Sequence, residues 1–98
     1  MPTLKSLKIS KGGRDLREVV LKHSRIQDVV VDDTTMHKIV LVMSSLVQIS
    51  FRRSIVRVLQ LASNELVISE FYHSIGDIQE EIVVLVRGGK LVHRYSIH

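Results

Sequence analysis

Glu81-Ile82-Val83-Val84-Leu85-Val86-Arg87 runs into Gly88-Gly89 and then into Lys90-Leu91-Val92-His93-Arg94-Tyr95-Ser96-Ile97. Two runs rich in β-branched residues, separated by two glycines, predict a tight β-hairpin. Both central residues of a type I′ turn need positive φ, which glycine adopts without steric cost. In the second run Leu91, His93, Tyr95 and Ile97 share one face, and Val92, Arg94 and Ser96 share the other.

Upstream the chain continues in short β-rich pieces. His37 to Met43 reads as a strand that Ser44-Ser45 turns into Leu46 to Arg52. Ile55 to Leu61 and Glu65 to Phe71 are joined by Ala62-Ser63-Asn64, where Asn suits a left-handed turn position. Gln27 to Val31 is closed by the turn cluster Asp32-Asp33-Thr34-Thr35, and Leu4 to Ile9 by Lys11-Gly12-Gly13-Arg14-Asp15. Valine and isoleucine dominate the apolar residues, and alanine occurs once, at Ala62. Such residues pack well on a pleated surface and lose rotamer freedom in helices.

Two segments leave helix and strand both open. In 15–26, Leu16, Val19, Val20, His23 and Ile26 recur at helical spacing, with Asp15 as a cap and Glu18 completing a capping box. In 50–66, Phe51, Ile55, Val58, Leu59, Ala62 and Leu66 suit a helix, but the Ile55-Val56-Arg57-Val58 core favours strand. The fold expected is one domain over 1–98, mainly β. It is a small antiparallel sandwich or partly open barrel with at most one or two short helices. The alternative, if both segments are helical, is α+β: a βαββαβ sandwich plus the C-terminal hairpin. Ile39 onward also resembles Ile82 onward at a 43-residue offset, a likeness built from Val, Ile and Leu that any two hairpins share.

Ninety-eight residues suffice for one small domain, with a modest core. The absence of cysteine excludes disulfides and thiolate metal sites, and fits a reducing compartment. No apolar run approaches the roughly 18 residues of a membrane-spanning helix. The N-terminus lacks a signal-peptide core. The expected location is cytoplasmic, or the host-cell interior for a viral protein.

No motif names a reaction, so no enzymatic activity, catalytic residue or cofactor is expected. His23, His37, His73, His93 and His98 show no HxH, HxxxH or HExxH spacing; convergence of His37 with His93 across a sheet is the long-range alternative to separate surface or half-buried histidines, which is the expected reading. There is no G-x-S-x-G elbow. Asp32-Asp33 fits a turn, and Glu80 and Glu81 would face opposite sides of a strand.

The formal net charge of +4 hides an uneven distribution. Residues 1–25 carry seven cations against Asp15 and Glu18, while 65–81 carry five carboxylates and no Lys or Arg. Lys11, Arg14, Arg52, Arg53 and Arg57 are candidate contacts for phosphate or nucleic acid. Stacking aromatics are scarce, and no recognised nucleic-acid motif is present. Ile39 to Met43 and Ile82 to Val86 are apolar on both faces, and a chain this short has little material to cover both. That surplus predicts a homo-oligomer, a dimer, with Ile39, Leu41, Val83 and Leu85 at the interface. An apolar ligand is the lesser candidate for the same surface. The function expected is a protein-binding assembly module, in the manner of a viral or regulatory accessory protein. The alternative is a basic nucleic-acid-binding module.

Overall fold

The structure, a computed structural model, describes residues 6–10, 15–22, 25–43, 45–63 and 70–97. Seven strands follow in order: β1 Ser6–Ser10, β2 Asp15–Lys22, β3 Asp28–Asp32, β4 Thr35–Val42, β5 Gln48–Ala62, β6 Glu70–Arg87 and β7 Lys90–Ile97. They form one sheet, and no helix occurs among the described residues. Both ambiguous segments are extended: 15–22 is β2, and 48–62 is the long β5. The β-branched content of each therefore outweighs its helical spacing.

The antiparallel expectation is overturned. β1 pairs with β3, β3 with the first half of β5, β2 with β4, and β4 with the second half of β5, all in parallel. Only β6 and β7 are antiparallel to their neighbours. The sheet is a curled, mostly parallel half-barrel and not a sandwich.

The connections supply the physical reason. The segment 43–47 does not reverse the chain as a hairpin would. It carries the end of β4 back to the start of β5, so that the next strands run in the same direction. Val47 and Gln48 both donate their amides to the Gln27 carbonyl, and Val86 donates to that of Val47, so this crossing segment is itself stacked. Strands apolar on both faces are what a buried parallel sheet shows. Ile39 to Met43 carried that signal.

The register discloses a repeat. Asp15 pairs with Thr35 and Thr35 with Ile55, each 20 residues on; Asp28 pairs with Gln48, again 20 on. The chain thus winds as three stacked coils, β1–β2, β3–β4 and β5. The 43-residue likeness instead relates Ile39 of parallel β4 to Ile82 of antiparallel β6.

Stacking places like residues in columns inside the coil. Leu7, Val29, Ile49 and Val84 form one, Ile9, Val31, Phe51 and Ile82 another, and Val19, Ile39, Leu59 and Tyr72 a third. Ile26 and Leu46 join the same core from the crossing segments. A smaller cluster on the outer face holds Val40, Val42 and Ala62.

β6 runs antiparallel along the whole of β5 and closes that end of the stack. The hairpin at Gly88-Gly89 forms as expected, with φ of 59° and 78°. A register shift at Leu85/Val86 then puts Leu91 opposite buried Val86 and His93 opposite Leu85. Leu91 packs on the core and so leaves the face it was expected to share with His93.

Candidate functional site: two corners and an open edge

Two bends occur among the described residues, and they gather polar side chains. The first bend follows β3. Asp33 and Arg53 both have positive φ, 53° and 52°. The Asp33 amide donates to the Arg52 carbonyl at 2.9 Å, and Ile55 to that of Thr34 at 3.1 Å, which keeps adjacent coils in register through the turn. Buried Ser54 accepts from the Thr34 amide at 3.0 Å and donates to the Arg52 carbonyl at 2.7 Å. The Thr34 hydroxyl donates to the Asp32 carbonyl at 2.9 Å.

Asp32 is the centre of this corner. Its side chain is only 10% exposed, with Arg53 Nη2 2.7 Å from Oδ1 and Lys8 Nζ 3.5 Å from Oδ2. The hydrogen bond from Arg53 holds the carboxyl below its usual range; burial opposes this, and the charges of Arg53 and Lys8 reinforce it. Alongside, Arg52 Nε lies 3.1 Å from Glu81 Oε2.

The second bend interrupts the register at one position in every coil. Pairing runs through Leu16, Met36 and Val56 and resumes at Glu18, Lys38 and Val58, skipping Arg17, His37 and Arg57. These three stack in a column, all exposed, at the roughly 4.8 Å spacing of neighbouring strands.

Of the candidate basic residues, the described three, Arg52, Arg53 and Arg57, are divided between the two corners. Arg52 and Arg53 face carboxylates at the first corner, and Arg57 stands at the second. Lys11 and Arg14 lie outside the described residues, as do His23, His98, Ser44 and Asn64. Sequence reading held Arg17 only as one of the N-terminal cations and His37 only as a partner for His93, without aligning the two. The 20-residue spacing that links both to Arg57 was the signal that finds them. His37 on β4 and His93 on β7 are separated by β5 and β6 and do not converge. Among the described residues no His, Asp and Glu side chains group so as to hold a metal ion.

The candidate interface residues are largely internal. Ile39 and Leu41 are 0% exposed and Val83 2%, while Leu85 is half-buried. One chain therefore covers most of the apolar surface that suggested an oligomer. What stays open is the opposite end of the stack from β6. There the outer edges of β1 and β2 have no strand partner among the described residues.

No protein family, curated protein or solved structure matches the chain. No helix among the described residues is long and apolar enough to cross a membrane.

Proposed function

We propose that the chain is a non-enzymatic assembly module that acts as a β-rich homodimer. One observation carries this reading: the coil is closed by β6 at one end, and at the other the outer edges of β1 and β2 have no strand partner among the described residues. Stacked repeats need a terminal cap, because an open rung exposes both ladder groups and the next layer of core. Here Val19 and Leu21 of that rung are only half-buried, whereas Ile39 and Leu41 one coil inward are fully covered. A protein partner supplies the missing layer, and the simplest one is a second copy. Sedimentation across micromolar concentrations tests it, with a concentration-dependent dimer as the expected result. A monomer throughout contradicts the reading.

A second reading, a nucleic-acid-binding module, draws on the column of Arg17, His37 and Arg57. Three stacked basic side chains with no ion-pair partner among the described residues suit a phosphate backbone. RNA and DNA binding at two salt concentrations, repeated with Arg17→Ala and Arg57→Ala, tests it. Binding that is absent, or unaffected by salt and by both substitutions, removes it.

A further inference from the structure

The open rung is self-complementary. Along β2, Glu18, Val20 and Lys22 are exposed, while Val19 and Leu21 between them are half-buried against the core. Val20 is 49% exposed, although Val40, its partner one coil inward, is only 7% exposed. Val20 therefore stands more open than Val40 and Gln60, the two buried residues stacked inward of it.

A two-fold axis through Val20 pairs this strand antiparallel with its own copy. Glu18 then lies opposite Lys22 of the second copy, and Lys22 opposite its Glu18. Val19 meets Leu21 on the inner side in both directions, and Val20 meets Val20 at the axis. Directly opposed residues share a face, so inner residues stay inside and outer residues outside. Opposite charges at both ends and apolar pairs between them favour this register.

The other open edges do not repeat the pattern. A two-fold axis through the middle of β1 sets Lys8 against Lys8. β7 carries Lys90, His93 and Arg94 with no carboxylate, which is how edge strands commonly resist pairing. The uncovered stretch of β6 is interrupted by the positive-φ residues Ser74 and Gly76.

We infer that two copies join through residues 18–22 of β2, antiparallel, with Val20 on the two-fold axis and reciprocal Glu18–Lys22 pairs. This register presupposes the self-association proposed above and adds its geometry.

The chain has no cysteine, so Val20→Cys places one thiol per copy at the axis. Opposed residues in an antiparallel pair have Cα atoms about 4.5–5.5 Å apart, inside the range a disulfide spans. Mild oxidation is expected to give a covalent dimer, faster than Val92→Cys on exposed β7. Glu18→Lys and Lys22→Glu each set like charges opposite one another twice, and each is expected to weaken the dimer about tenfold. An equimolar mixture of the two variants restores both pairs and is expected to recover dimer as a heterodimer. All four substituted positions are exposed, and circular dichroism checks that each variant is folded. If the wild type dimerises but Val20→Cys links no faster than Val92→Cys, or the charge variants dimerise unchanged, this register is overturned and assembly stands. Growth beyond a dimer means head-to-tail stacking and also overturns it. A wild-type monomer at every concentration overturns both.

Discussion

Arg53, a residue with φ of 52°, holds Asp32 of the adjacent coil at 2.7 Å between Nη2 and Oδ1. The left-handed conformation costs a non-glycine residue about 1 kcal/mol or more. It ends the first half of β5 and turns the chain into the second, and the guanidinium that results covers a nearly buried carboxylate.

Asp32 predicts an acid-sensitive fold. Its carboxyl is held below the ordinary 3.8, first by the Arg53 hydrogen bond. A depressed carboxyl stabilises the folded state fully above its unfolded value, and that contribution is lost as pH falls through the folded value. The midpoint of urea unfolding should therefore fall as pH drops below about 4. In Asp32→Asn this part of the dependence should vanish, at a cost of about 1–3 kcal/mol near neutral pH. An unchanged acid limb in that variant would contradict the assignment.

Gly76 predicts a steric lesion. It has φ of 105°, and a methyl group there would run into the Ser54 carbonyl oxygen and the backbone behind it. Gly76→Ala should lower stability by about 3 kcal/mol or more, because both strain and overlap with backbone apply. Gly88, with open space around it, should lose only about 1 kcal/mol on the same change. Thermal unfolding of the two variants side by side is the check.

Ser54 predicts a polar lesion at the same corner. Removing its hydroxyl strips the acceptor from the buried Thr34 amide. Ser54→Ala should cost about 1–3 kcal/mol, the penalty of losing buried hydrogen bonds at this corner. Hydrogen exchange at the Thr34 amide should quicken in step.

Core and edge should separate cleanly. Ile39 is fully buried in the column of Val19, Leu59 and Tyr72. Ile39→Ala should cost about 2–5 kcal/mol. Val92, 58% exposed, should lose under about 0.5 kcal/mol on the same change. Equal effects in chemical denaturation would mean that the columns are not where the core lies.

The local sequence carried strand content, the Gly88-Gly89 hairpin, the Asp32-Asp33-Thr34 turn and the need of Ile39, Leu41 and Val83 for cover, which it assigned to a second copy and which one chain supplies. Each depends on neighbours a few residues away: β-branching, turn chemistry and the apolar run. The basic triplet Arg52, Arg53 and Arg57 was visible as composition only. Its division between two corners depends on where β5 bends.

Strand direction was decided by the tertiary structure. A strand of Val and Ile has the same side-chain pattern whether its neighbour runs with it or against it. Direction is set by whether a connection reverses the chain or returns it to the same starting side. The 20-residue period that records this return was present in the sequence. It is written in interchangeable apolar residues, Val29 over Ile49 and Ile39 over Leu59, because a packed column selects for size and hydrophobicity and not for identity. The open edge of β2 exists only once the coils are stacked, since an edge is a property of what lies beside a strand and not of the strand itself.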